Sequence, residues 1–278
     1  MNVLFCRNVK KDVGVHKTSS SFGTGSSLAI DDGKVYLQDL SEESADVICY
    51  SASTGEVVWQ MAREKKSTAW TTPIVWQNTQ RKELIVSGDQ LVESFDPTSG
   101  DLLWRVSKVK AATACSPCAD SERLYFGGSD PFSKGPLFAV GAGASGDVSP
   151  KKSNDSFDGN VWKQDRAAPG MASPVSSGQH VYGVDKNILR CYDAVAGELI
   201  YQNRLPGLEM VAASPLIIGD KLLIIDENGA GCLVATGTEF KVLGSGSIDD
   251  TVWATPAVAD GAVFLRGVKS LYCFRSAE

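Results

Sequence analysis

Short runs of alternating apolar and polar residues recur along this chain, and they recur in a fixed order. Lys34-Val35-Tyr36-Leu37-Gln38, Glu83-Leu84-Ile85-Val86-Ser87, Arg123-Leu124-Tyr125-Phe126, His180-Val181-Tyr182-Gly183-Val184, Lys221-Leu222-Leu223-Ile224-Ile225 and Ala262-Val263-Phe264-Leu265 each follow a turn-like segment. A second apolar run answers each of them: VICYSA, LVESFD, LFAVGA, ILRCYD, GCLVAT and LYCFRS. A Thr/Ser-Gly turn then leads to a run with an aromatic four residues on, as in Thr54-Gly55-Glu56-Val57-Val58-Trp59 and Ser99-Gly100-Asp101-Leu102-Leu103-Trp104; Gly197-Glu198-Leu199-Ile200-Tyr201 follows the same plan. The period is two, which half-buries a strand, and the helical period is almost absent. Glycine supplies the positive φ that such turns need.

The runs are tied to an anchor, a small hydroxyl residue followed by Pro. It occurs as Thr72-Pro73, Ser116-Pro117, Ser173-Pro174, Ser214-Pro215 and Thr255-Pro256, and Ser27 fits the same place without Pro. From Ser27 onward the anchors are spaced by 45, 44, 57, 41 and 41 residues. Units of about 40–45 residues have the length of a four-stranded propeller blade. The long third interval holds a polar, turn-rich insertion near 148–160, read as a surface loop before the strand of Trp162. The sixth unit ends after three strands at Leu271-Tyr272-Cys273-Phe274. Residues 2–9, with Phe5 standing where Trp59 and Trp104 stand, are expected to supply its fourth strand and so remove a sheet edge. The expectation is one all-β domain over 1–278, a six-bladed β-propeller of four-stranded blades closed by its N-terminal strand.

These residues resemble the PQQ-type repeat, whose pattern runs through a DG-VY strand, a strand ending near Asp, and TG-E/K-xxW. The chain is thereby similar to the PQQ-like (quinoprotein alcohol dehydrogenase-like) β-propeller repeat family of bacteria over nearly its whole length. The wider superfamily includes quinoprotein alcohol dehydrogenases and a propeller lipoprotein of outer-membrane protein assembly. Its members usually carry extra repeats and a signal sequence ahead of the region seen here.

Charge narrows the function. Asp and Glu total 33 against 27 Lys and Arg, so the net charge is −6, which disfavours nucleic acid and anionic membrane surfaces as partners. No apolar run is long enough to span a bilayer as a helix. The start, MNVLFCRNVKKD, has only four apolar residues in a row, too few for a secretory h-region. A genuine start implies a cytoplasmic protein; a fragment of a longer exported chain implies a periplasmic one.

Catalytic chemistry finds little support. His16 and His180 are the only histidines, and no nucleophile elbow accompanies them. Among seven cysteines only Cys115-Ser-Pro-Cys118 is close enough to suggest redox or metal chemistry. It precedes a turn and strand rather than the helix that would lower a thiol pKa, so buried thiols explain it better. By the resemblance, a quinoprotein would hold PQQ and calcium over the propeller axis, but the sequence has neither a vicinal cysteine pair nor a calcium loop. No catalytic residue, metal ligand or cofactor is therefore assigned.

The position two residues before each anchor is more informative. It holds Gly25, Trp70, Ala114, Met171, Ala212 and Trp253, and equivalent positions of a propeller form a ring at the channel mouth. Asp39, Asp89, Asp130, Asp185 and Asp226 are expected in turns between second and third strands, and Arg166 and Lys186 accompany them. Turn chemistry accounts for such Asp residues, and inter-blade packing for aromatics. The candidate ligand-binding set is Trp70, Trp253, Met171, Arg166, Asp185 and Asp226. The expected function is a non-enzymatic binding or scaffold propeller that takes a protein, a peptide or a small ligand at its channel mouth or a flat face.

Overall fold

The computed structural model describes Cys6 and residues 25–40, 45–64, 69–88, 90–109, 114–129, 134–149 and 161–275. Among them there is no helix, and hence none long and apolar enough to cross a membrane. The expected closing strand, residues 2–9, and most of the 148–160 insertion lie outside the described residues.

Six antiparallel units follow one another along the chain. The first sheet holds β1 (Ala29–Asp31), β2 (Lys34–Leu40), β3 (Ala45–Ser51) and β4 (Val57–Ala62) in that order. The second is built on β5 (Ile74–Gln77), β6 (Lys82–Gly88), β7 (Gln90–Phe95) and β8 (Leu102–Val109). The third uses β9 (Cys118–Ala119), β10 (Arg123–Gly127), β11 (Leu137–Gly141) and, beyond β12 (Gly146–Asp147), β13 (Val161–Gln164). The fourth is β14 (Val175–Ser177), β15 (His180–Asp185), β16 (Ile188–Asp193) and β17 (Leu199–Arg204); the fifth is β18 (Leu216–Ile218), β19 (Lys221–Ile225), β20 (Ala230–Ala235) and β21 (Val242–Ser247). The sixth has three strands, β22 (Ala257–Ala259), β23 (Ala262–Arg266) and β24 (Leu271–Arg275).

Two sheets depart from the four-stranded plan. β12 leaves its own unit and pairs in parallel with β8, giving the second sheet five strands. The reason lies in contacts with β8. The turn at Ala142-Gly143 leads into β12 and Val148-Ser149 with no aromatic to hold them on the third sheet. Instead Arg105 on β8 donates to Asp147, and the Ser107 N–H donates to the Ser149 hydroxyl at 2.7 Å. The strand of Trp162 takes the vacant place beside β11, as the sequence indicates. Asp39 also corrects the expectation, since it lies within β2 opposite Asp46 and not in a turn.

The anchor has a double logic. Each repeat Pro is buried and immediately precedes the innermost strand of its sheet, where a missing N–H leaves no ladder bond unmade. The hydroxyl residue beside it joins neighbouring units. The Thr72 N–H donates to Ser116 Oγ (2.8 Å), Ser116 to Ser173 (3.0 Å), Ser173 to Ser214 (2.9 Å) and Ser214 to Thr255 Oγ1 (3.1 Å). This relay steps from the second unit to the sixth and satisfies backbone donors on the inner side of the array.

Packing between sheets supplies the core. Fully buried Leu189, Cys191, Leu222, Ile224, Cys232 and Val234 join the fourth sheet to the fifth. Phe126 and Phe138 stack on each other and share a cluster with Trp104 and Val106 between the second and third. The Gly turns before the outer strands do two jobs. Gly100 and Gly197 have φ of 79° and 71°, and a Cβ there would stand 2.9 Å from Trp59 and 2.6 Å from Trp162 of the preceding unit. In the first and third units the repeated aromatic is thus a wedge seated on the next unit's glycine.

Candidate functional site

The described chain segments that connect the first unit to the second, and the third through sixth units to one another, run toward the innermost strand beside the turns between second and third strands. Backbone bonds fix the two together. The Ala69 N–H donates to Leu40 O, Gly170 to Val184 O, Val211 to Lys186 O, Glu227 to Met210 O and Val268 to Thr251 O. Along the connections burial alternates: Ala69 and Thr71, Ala172, Val211 and Ala213, and Val252 point inward. The residues between them therefore point outward, and these include Trp70, Met171, Ala212 and Trp253.

The ring positions differ in exposure. Met171 is 60% exposed and Trp253 67% exposed, the most open large apolar side chains at these positions. Trp70 is half-buried, because Gly25 of the first unit gives it room; a Cβ on Gly25 would stand 2.8 Å from its ring. That contact makes two consecutive ring positions neighbours in space.

The acidic candidates are occupied by the fold. Asp226 is buried and accepts the N–H groups of Asn228, Ala230 and Glu209 at 2.9–3.0 Å, so it ties a turn to the connection from the fourth unit. Asp185 lies against Gly170, next to Met171, and pairs with Lys134 at 2.6 Å and Arg190 at 4.0 Å. Arg166 is exposed in the left-handed region at φ 56°, on the connection between β13 and β14. Trp70, Met171, Trp253, Asp185 and Asp226 thus share one end of the sheets, two of them as exposed apolar groups and the two carboxylates as structural ones.

Sequence reasoning missed Asp250 on the same face. Its carboxylate accepts the N–H groups of Lys269 (3.1 Å), Ser270 (3.1 Å) and Thr251 (2.8 Å) and the Tyr272 hydroxyl (3.2 Å), clasping the last turn to the connection from the fifth sheet. Burial pushes its pKa up, but these donors outweigh burial and hold it below the ordinary carboxylate value. A carboxyl depressed by folding stabilises above its unfolded pKa, and loses that contribution as pH falls through the folded value. Asp250→Asn is accordingly expected to lower the urea midpoint at neutral pH, and its gap from the parent should shrink below about pH 4. A gap independent of pH would contradict the assignment.

The cysteine pair is structural. Cys115 Sγ donates to Gly170 O at 2.9 Å, across to the connection into the fourth unit. Burial pushes both the Cys115 and the Cys118 thiols up to about 12. Both stay protonated at neutral pH, the opposite of a poised redox pair.

With this geometry in view, the comparisons with known proteins become informative. A family model described as outer membrane protein assembly factor BamB matches residues 9–149, just over half of the 278 residues. The chain belongs to this BamB-like, PQQ-repeat family. Among solved structures, that of BamB from Moraxella catarrhalis is similar with a TM-score of 0.50 and 14% identity, over 90% of this chain and 81% of that one. At that identity the likeness concerns the propeller fold. No curated protein matches. In this BamB-like propeller, the connection face is where exposed apolar side chains and backbone turns of successive units meet.

Proposed function

We propose that the protein is a non-enzymatic binding or scaffold propeller that engages a protein or peptide partner on the connection face around Trp253 and Met171. The exposure of those two large side chains carries the reading, because exposed rings and thioethers are the usual anchors of an interface. Membership in a family described as an assembly factor supports a protein partner over a small molecule. The quinoprotein alternative gains no support, since Asp185 and Asp226 are already consumed by ion pairs and turn N–H groups. The test is a paired substitution, Met171→Asp with Trp253→Asp. Both side chains are exposed, so the melting temperature should hold while co-purification of the partner from cells of the source organism is lost. Retained co-purification would reject the face. Titration with PQQ and calcium should leave the absorption spectrum a simple sum.

The fold reading that goes with it is a single six-bladed ring in which residues 2–9 complete the last blade. Two features support it: the sixth sheet stops at three strands, and Leu271 and Phe274 on β24 are exposed. An unpaired edge invites association with other strands. Removal of residues 1–9 is expected to cause aggregation or a clearly lower melting temperature. Unchanged melting and monodispersity in light scattering would rule out closure by this segment.

A further inference from the structure

Among the described residues, the wedge between the fifth and sixth sheets lacks the rings that fill those of the first, third and fourth sheets. In the first sheet Tyr36 pairs with Cys49 and Cys49 with Trp59, which sets the two rings in line with centroids 6.1 Å apart. Tyr125, Ala139 and Trp162 repeat the line in the third sheet at 6.0 Å. Tyr182, Cys191 and Tyr201 repeat it in the fourth, where Tyr201 meets Phe240 of the next unit edge-on at 5.9 Å. Trp59 and Trp162 each donate their indole N–H to a carbonyl of the following unit, Pro97 at 3.2 Å and Ala194 at 3.0 Å.

The same register in the fifth sheet runs Leu223, Leu233, Gly244. Leucine stands in the tyrosine place and glycine in the tryptophan place. The space the rings would take is open: a cleft of about 590 Å³ between the fifth and sixth sheets, lined among others by Leu223, Ile225, Leu233, Val263, Leu265 and Phe274. Nothing lies within 4 Å of where a Gly244 Cβ would stand, and its φ is not in the left-handed region. The rest of this line on the fifth sheet is correspondingly uncovered. Leu223 is only half-buried, whereas its counterparts Tyr36, Tyr125 and Tyr182 are fully buried.

We infer that this cleft is a binding site for a small neutral aromatic molecule of the indole class. The argument is internal to the chain. In the first, third and fourth sheets this register fills its wedge with rings, and in the fifth it leaves an apolar cleft between two sheets, room for a ring from outside. Its size is that of a ligand pocket with a mainly apolar lining, the setting in which small aromatic ligands bind. The site is separate from the connection face and stands or falls independently of it.

Indole is the probe. Calorimetric titration of the full chain should give saturable one-to-one binding, and saturating indole should raise the melting temperature. Gly244→Trp puts the missing ring back, and should raise the melting temperature without ligand and abolish indole binding. Leu223→Tyr fills the other half of the vacancy and should weaken binding about tenfold or more; it also decides the matter if Gly244→Trp does not fold. Absence of saturable binding, or binding unchanged in Leu223→Tyr, overturns the inference. So does sedimentation showing a dimer from which indole is excluded, since the cleft would then belong to a second copy.

Discussion

Trp104→Ala is expected to lower the stability of the protein by about 3–5 kcal/mol, the range for emptying a large buried aromatic site. Trp104 is fully buried and packs with Val106, Phe126 and Phe138. It also holds one end of a buried polar cluster. Its indole N–H donates to Glu83 Oε2 at 2.6 Å, the Ser94 hydroxyl donates to the same oxygen at 2.6 Å, and Asn78 and Arg81 serve Oε1 at 2.9 and 3.0 Å. Glu83 is fully buried, so a lost donor is not replaced by water without cost. Trp104→Phe separates the two contributions: it keeps most of the packing and loses the N–H, and should cost about 1–3 kcal/mol. Urea denaturation of both variants reads the difference. A Trp104→Phe loss near zero would mean that the carboxylate contact adds nothing. Trp70→Ala, at a half-buried ring position, should cost clearly less than Trp104→Ala.

Glu93→Ala should be comparably damaging, about 3–5 kcal/mol, because it strands a buried guanidinium. Arg63 lies on the connection out of the first sheet with its side chain packed on Gly88, where a Cβ would stand 2.8 Å from the guanidinium. Arg63 Nε donates to Glu93, and its Nη2 donates to Leu91 O at 2.7 Å. Side-chain exposures of 1% and 5% leave the pair out of reach of solvent. The pair clamps the connection onto β7. Replacing both residues by Met should cost far less than either truncation alone, since no charge is then left unpaired. A double-mutant cycle by chemical denaturation checks this, and additive losses would contradict the pairing.

Much of the fold was legible in the residues because it is set by local pattern. Alternation around Tyr36, Tyr125 and Tyr182, the Gly turns and the Ser/Thr-Pro anchors all act within one unit. What escaped notice depends on neighbouring units. The anchor hydroxyl is visible in sequence, but its acceptor role toward the preceding unit's N–H needs the array. The parallel pairing of β12 with β8 depends on Arg105 and Ser107, some forty residues away. Glu83 and Glu93 look like strand surface charges until Trp104 and Arg63 are seen above them. At the connection face the ring positions were legible from spacing. Their exposure was not, because Trp70 is covered through Gly25 while Trp253 is not. Gly244 did carry a readable signal, since VLGSGS has Gly244 where VVWQMA and LLWRVS have Trp59 and Trp104.

The central claim, that the connection face and not the opposite end of the sheets binds a partner, is tested most directly by site-specific photo-crosslinking in cells of the source organism. A photoreactive phenylalanine analogue is placed at Trp253 in one variant. In another it replaces Val195, equally exposed but in the turn between β16 and β17 at the far end. The account predicts one discrete crosslinked protein from position 253 and none from position 195. Crosslinks from 195 alone, or none from either position, would contradict it.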